Sequence, residues 1–253
     1  MSGIVGNNIV RDNLILHLDA ADIKSYPGFG TTWTDRTSNK YKFIFSCIGA
    51  SCLNPIYSNN SITTNFDTSS PYNFSYLEGT NLDTKLAQLL YSDHTIELCL
   101  KLNSILPVYN YDNSLTYENV LGLLLWVGYH GGVCITSNVF QYGVWNGTSN
   151  WPSIYADASG FVGQNIITNF IRSGNVLSIY INGILKQSDN IGSTASYVYN
   201  NLRIGCGNIY QPTINSFSWP SKTTYYSIKC YNSALTASQV LQNFNSQRKR
   251  FNI

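Results

Sequence analysis

The stretch 170–188 reads FIRSGNVLSIYINGILKQS, and its reading decides the fold. Val176 to Ile181 is a β-branched and aromatic run, Asn182-Gly183 follows, and a second apolar-led run covers Ile184 to Gln187. An Asn-Gly pair between two such runs is the strongest short-range hairpin signal. A type I′ turn needs positive φ at both central positions, which Asn tolerates and Gly adopts freely. Leu177, Ile179 and Ile181 alternate with Val176, Ser178 and Tyr180, so the first set faces a core and the half-polar second set faces the other way. A turn at Ser173-Gly174-Asn175 joins Phe170-Ile171-Arg172 to this unit. Three adjacent antiparallel strands, a β-meander, are the expectation.

Outward from this unit the composition agrees. Aromatics make up 14% of the 253 residues and charged residues only 11%, against about a quarter in an average soluble domain. Asn, Ser, Thr and Tyr supply the polarity, which suits strands, tight turns and uncharged surfaces more than helices. A net charge of +2 gives no field to attract nucleic acid. The one basic cluster, Arg248-Lys249-Arg250, reads as the end of a helix, where cations offset the dipole. No signal-peptide core and no membrane-length apolar run occur, so neither export by a leader nor membrane insertion is expected. Of six cysteines, Cys99, Cys134, Cys206 and Cys230 sit singly in apolar runs as small buried hydrophobes. Cys47 and Cys52 are spaced as neither a zinc ribbon nor a redox pair; reduced thiols are the default expectation there, with a bridge as the alternative.

Residues 1–13 read as a short polar arm, and 14–253 as one β-sandwich domain. The first strand is Leu14 to Leu18, with His17 facing away from Leu14, Leu16 and Leu18; with no second ligand at metal spacing in that run, it predicts no metal site. Trp33 points to the core. Asp83 to Tyr91 predicts a short helical turn. Ile96, Leu98, Leu100 and Leu102 alternate with Thr95, Glu97, Cys99 and Lys101, the cleanest half-buried strand in the chain. Residues 103–119 form a long polar, aromatic loop, the length of either a binding rim or a small insertion. Strands over Asn201 to Ile204 and Thr223 to Cys230 follow, the latter alternating through Tyr226, Ile228 and Cys230. A helix over 236–250 closes the chain: Thr236 and Gln239 make a capping box, Val240, Leu241 and Phe244 an apolar stripe, and the basic triplet its end. The fold class is all-β, a two-sheet antiparallel sandwich with a short C-terminal α-helix.

Five blocks in order resemble concanavalin A-like lectin/glucanase jelly rolls of the laminin-G-like kind, above all those in structural proteins of phages and large DNA viruses. They are LILHLDAADIKSYPGFGTTWTDRTSN (14–39), HTIELCLKLN (94–103), IYINGILKQS (179–188), NLRIGCG (201–207) and YNSALTASQVLQNFNSQRKRF (231–251). The resemblance covers most of 14–251 and is weakest over 103–165. It implies a jelly-roll sandwich, and it alone implies a virion setting: a capsid, decoration, fibre or tail component made in the host cytoplasm, with other virion proteins or copies of itself as partners.

One sandwich can serve an enzyme, a lectin or a structural part. Glucanases of this fold carry two Glu flanking an Asp on one strand, the paired acids that retaining hydrolysis needs. Here the glutamates are Glu78, Glu97 and Glu118, far apart and without such an Asp, so a non-enzymatic protein is expected and no catalytic residue is assigned. For glycan binding, rings to stack on sugars and amides for hydroxyls occur together in Tyr129-His130 and in Trp145-Asn146 with Asn150-Trp151; these six residues are the candidate glycan rim. The bland alternative is that Trp145 packs in the core while Asn and Gly merely turn the chain. Calcium needs several oxygens, and Asp157 with Asn150, or Asp112 with Asn113, fall short of a set, so no cofactor or metal is expected. The residues and the resemblance together lead to a non-enzymatic viral structural protein, with or without glycan binding at the particle surface; a lectin or adhesin outside a virion is the first alternative and a glycoside hydrolase the second.

Overall fold

Asn182 and Gly183 hold φ values of 51° and 79°, and Ile181 pairs directly with Ile184 across them, so the deciding turn is the two-residue hairpin its sequence calls for. The computed structural model describes residues 8–67, 70–80, 82–103, 121–127, 131–136, 139–144, 152–192, 202–206 and 221–253. Its strands in chain order are β1 (Leu14–Asp19), β2 (Thr32–Thr34), β3 (Lys42–Ile48), β4 (Ile56–Ser58), β5 (Ser61–Thr63), β6 (Phe66–Asp67), β7 (Ser70–Thr80), β8 (His94–Leu102) and β9 (Leu121–Val127). There follow β10 (Gly131–Thr136), β11 (Val139–Val144), β12 (Ser153–Asp157), β13 (Asn165–Ser173), β14 (Val176–Ile181), β15 (Ile184–Asn190), β16 (Leu202–Ile204) and β17 (Thr223–Tyr231). Helix α1 (Thr84–Ala87) continues into a 3₁₀ turn, Leu89–Tyr91, where a helical turn was expected, and α2 (Ala237–Gln247) ends the chain. None of the described helices is long and apolar enough to cross a membrane.

All strand pairs are antiparallel. Sheet A runs β15-β14-β13-β8-β17-β5-β4 with β1 beside β17, and sheet B runs β12-β11-β10-β9-β16-β7-β3-β2 with β6 beside β7. The two face each other as a sandwich. Leu177, Ile179, Ile181, Leu98 and Leu100 of sheet A share one buried cluster with Trp33, Phe43, Leu77 and Phe140 of sheet B. Phe140 and Tyr142 both set their rings edge-on to Phe170 at 5.8 and 5.7 Å, the T-shaped geometry that aromatic quadrupoles favour.

Several expectations are corrected. A register shift between Leu14 and Leu16 turns Leu14 to the outer side with Val10 and Tyr231, while Ile15 joins the core. A second shift, between Tyr225 and Ser227, puts Tyr225, Ile228 and Cys230 inside, and Tyr226 outside against Phe251 at 5.5 Å. Each bulge inserts a residue and flips the side-chain alternation beyond it. Strand β8 is buried on both faces rather than one, because the C-terminal segment covers sheet A from outside: Val240 and Leu235 lie over Ile171 and Tyr231, and Phe251 over Cys99 and Ile167. Cys47 and Cys52 are bridged, against the default of reduced thiols. The other four cysteines are buried, as expected.

Helix α2 keeps its capping box: the Gln239 N–H donates to Thr236 Oγ1 at 3.3 Å and the Thr236 N–H to Gln239 Oε1 at 2.9 Å. It ends at Gln247 rather than 250, and its buried face carries Val240, Asn243 and Gln247, not an all-apolar stripe; Leu241 is exposed. The described part of the N-terminal arm is tied to the same helix. The Val10 N–H donates to Asn243 Oδ1 at 2.8 Å, and Gln242 Nε2 to the Asn8 carbonyl at 2.7 Å.

The deciding turn touches α2 as well. A Cβ at Gly183 would meet side-chain carbons of Phe244 and Leu241 at 3.2 and 3.3 Å, on a backbone already at positive φ. Gly183→Ala is therefore expected to cost about 1–2 kcal/mol, read as a lower urea midpoint at unchanged slope.

Candidate functional site

The carboxylates come first, since they decide whether the sandwich can be a glycosidase. Glu97 sits on β8 opposite Lys229 of β17 and Asn169 of β13, pointing outward under α2. Its Oε1 accepts from Lys229 Nζ at 2.8 Å and Gln247 Nε2 at 2.9 Å, and its Oε2 from Asn243 Nδ2 at 2.8 Å and Asn169 Nδ2 at 3.0 Å. Lys229 also donates to Ser227 Oγ at 3.1 Å and to Gln247 Oε1. The four other side chains that meet the pair, Asn169, Ser227, Asn243 and Gln247, are buried, as are Glu97 and Lys229 themselves. Burial alone would raise the Glu97 pKa, but the Lys229 charge and the amide donors outweigh it and hold the carboxyl below its ordinary value. Such a carboxylate neither donates a proton nor meets a substrate. Glu78 is spent on Arg203, 2.9 Å away, and Glu118 lies outside the described residues.

The histidines are structural too. His17 stands beside Lys229 on the same outer face, and its pKa is pushed down to about 3 by burial and by the Lys229 charge. Asp19 accepts from Arg250, Nη1 to Oδ2 at 2.7 Å. Burial would raise the Asp19 pKa, but this guanidinium more than offsets it and the net shift is downward. The basic triplet thus has one member, Arg250, that fastens the C-terminal turn to β1. His94 is fully buried between the sheets. Its Nδ1 meets the Ser92 carbonyl at 2.7 Å, which can only accept, so Nδ1 carries the proton and Nε2 accepts from the Tyr142 hydroxyl. Burial pushes its pKa down to about 4.

The six rim residues, Tyr129, His130, Trp145, Asn146, Asn150 and Trp151, lie outside the described residues, as does the 103–119 loop apart from Asn103. Their described flanks are brought together. Gly131 pairs with Val144, and Gly143 with Ser153, so the strand ends bordering 128–130 and 145–151 lie side by side at one end of sheet B. The outer face there carries two rows across β10, β11 and β12: Gly132-Gly143-Ser153 and Cys134-Gln141-Tyr155. Gln141 Nε2 donates to Ser153 Oγ at 3.1 Å and to the Tyr155 hydroxyl at 3.3 Å. Gly143 leaves room for this, since a Cβ there would stand 2.2 Å from Ser153 Oγ. The Tyr155 ring is 53% exposed. A held amide beside an open phenol ring is the pairing that sugar hydroxyls and sugar faces require, and it was missed in the sequence because 153–157 was not assigned as a strand. The signal is there: Ile154 and Ala156 are buried while Tyr155 and Asp157 face out.

Among the described residues no three His, Cys, Asp or Glu come together to hold a metal ion. Of the residues weighed for calcium, Asp157 caps a turn by accepting the Ser159 N–H at 2.9 Å; Asn150, Asp112 and Asn113 lie outside the described residues.

Neither a protein-family model nor a curated protein matches the chain. Solved structures do. The receptor binding domain of botulinum neurotoxin D superposes with a TM-score of 0.62 at 14% identity, over 93% of this chain and 53% of that one. The botulinum neurotoxin type G receptor binding domain gives 0.60 at 16%, over 93% and 52%. The binding domain of botulinum neurotoxin DC, solved in complex with rat synaptotagmin II, gives 0.61 at 13%, over 92% and 51%. At these identities the likeness is one of fold, and the chain spans about half the length of the structures it matches. The class so defined is one of fold, a two-sheet antiparallel β-sandwich.

The Glu97 cluster yields two expected outcomes. Lys229→Met leaves a buried carboxylate without its cation and should cost about 3–5 kcal/mol, measured by urea unfolding at neutral pH. Because the folded Glu97 pKa is depressed, its contribution in the native protein is complete above the unfolded value of about 4.3 and is lost as pH falls through the folded value. A native stability curve that stays flat across that acid range would contradict the assignment.

Proposed function

We propose that the chain is a non-enzymatic recognition module that binds glycans at the β10–β12 end of sheet B. One observation carries the reading. The carboxylate on the cleanest strand, Glu97, is consumed by four donors under α2, whereas the half-exposed Tyr155 ring, its hydroxyl held by Gln141, stands open near the strand ends that border 128–130 and 145–151. The structural neighbours support a binding role without specifying it, being toxin receptor-binding domains by description. The setting suggested by the sequence resemblance is a virus particle, in which the module would be a capsid, decoration, fibre or tail component meeting cell-surface glycans.

A lectin or adhesin outside a virion is the second reading, favoured by the Cys47–Cys52 bridge, since disulfides persist mainly in oxidising surroundings. Mass spectrometry of purified particles separates the two: absence of the chain would reject the virion setting and leave the recognition role standing.

Tyr155→Ala should lower binding to a glycan found by array screening by about tenfold, the scale of one lost ring contact, while changing stability by less than ~0.5–1 kcal/mol because the ring is half in water. A folded native sample that gives no array hit would defeat the glycan reading; binding unmoved by the substitution would remove Tyr155 from the site.

A further inference from the structure

We infer that the glycan taken at the β10–β12 end of sheet B is an uncharged one, and that Asp157 is the residue that turns sialylated and sulfated forms away. The inference rests on the glycan reading above and adds to it the chemical class of the ligand.

Asp157 follows Tyr155 by two residues on β12, so both side chains leave the same face of sheet B, about 7 Å apart along the strand. Both are exposed. The carboxylate accepts the Ser159 N–H at 2.9 Å, and this bond holds its pKa below the ordinary aspartate value, so it is ionised at neutral pH. A sugar laid on the open Tyr155 ring therefore has a held negative charge within reach of its substituents. Hydroxyls donate to such a charge. A carboxylate or sulfate on the ligand is repelled by it, at a separation below the Debye length of about 8 Å at physiological salt.

The amide beside the ring favours the same class. Gln141 turns its Nε2 hydrogens to Ser153 at 3.1 Å and to the Tyr155 hydroxyl at 3.3 Å. What it keeps is its carbonyl oxygen, which takes the weak Cys134 S–H at 3.5 Å and has a second lone pair. Gln141 and Asp157 thus both present acceptors, which serve the hydroxyls of a neutral sugar and give an anion no donor.

The surrounding chain supplies no compensating cation of its own. Between Lys101 and Arg172 the sequence contains neither Lys nor Arg, and that span holds β9 to β12 together with 128–130 and 145–151. Selection of carboxylate or sulfate groups ordinarily falls to Arg and Lys. Elsewhere on sheet B, Arg203 stands on β16, three strands from Gln141, and its charge is met by Glu78 at 2.9 Å and by the Tyr76 ring at 5.9 Å. Lys186 belongs to the opposite sheet, on the edge strand β15 that packs against β12. Discrimination between related ligands needs a repulsive element as well as an attractive one, and at this end of sheet B Asp157 is that element.

Glycan pairs that differ by one terminal sialic acid or one sulfate test this on the array, followed by titration of the best-bound pair. The native chain should bind the uncharged member about two- to fivefold more tightly at physiological salt. The gap should close at about 1 M salt, where screening cuts the reach of a charge to about 3 Å. Asp157→Asn keeps an oxygen for the Ser159 N–H and should bring the two Kd values together, whatever it does to each alone. Acidic members bound as tightly as neutral ones, through Lys186 or any other cation, or a ratio unmoved by Asp157→Asn, would overturn the inference and leave the glycan reading standing. An array without any hit defeats the glycan reading itself, and this inference with it.

Discussion

Glu97 and Lys229 are the charges around which the outer side of sheet A is built. They sit opposite each other on neighbouring strands, out of water, where an unmatched charge would cost several kcal/mol. Two of the four donors to Glu97, Asn243 and Gln247, come from α2, so the pair is complete only when the helix lies across the sheet. Asn243 in turn holds the N-terminal residues through Val10, and Arg250 holds β1 through Asp19. A buried ion pair is weak evidence for net stability, since well-packed apolar residues often do as well. Its effect here is positional. An apolar helix face could slide on an apolar sheet, whereas this helix has one placement that satisfies every donor around the carboxylate.

That placement has a functional consequence. With α2 and the C-terminal turn covering its outer face, sheet A offers the surroundings only its edges. Among the described residues, open surface includes the outer face of sheet B near β10–β12, the β4 edge, and Ile184, Leu185 and Leu241 where β15 meets α2. The first has a fixed amide and an exposed phenol ring, suited to a polar ligand with apolar faces. The second is, among the described strands, an uncharged sheet edge. They also lie toward opposite ends of the strand order, so occupation of one leaves the other accessible.

Local rules made much of this legible in the sequence. Asn182-Gly183 needed only its own φ preference, Thr236 and Gln239 only each other, and Leu177, Ile179 and Ile181 a period of two. What stayed hidden was non-local. The bulges at Leu14/Leu16 and Tyr225/Ser227 leave no mark in an alternating run, because either phase looks apolar at Ile15 and Tyr225. Glu97 looked exposed, since an alternating strand with a carboxylate on it ordinarily has one wet face; nothing in β8 shows that a helix more than a hundred residues later will cover it. For the same reason Asn243 and Gln247, polar residues on the buried side of α2, were passed over for Leu241, which faces water. The Gln141-Tyr155 pair was hidden by a strand left unassigned, and Cys47 and Cys52 by a spacing that fits no motif although the chain turns back between them.

Glycoside hydrolysis and glycan recognition make different demands on side chains. Catalysis by carboxylates needs one acid kept protonated and one kept ionised across a gap open to substrate. Here Glu97 is ionised by its surroundings and sealed under α2, and Glu78 is paired with Arg203 on another strand. Recognition asks less: a rigid backbone, a ring with an open face and a donor whose direction is set by its neighbours. The Tyr155 ring meets the second condition: Gln141 holds its hydroxyl from the adjacent strand, and the absence of a Gly143 side chain leaves room for the Gln141–Ser153 contact beside it.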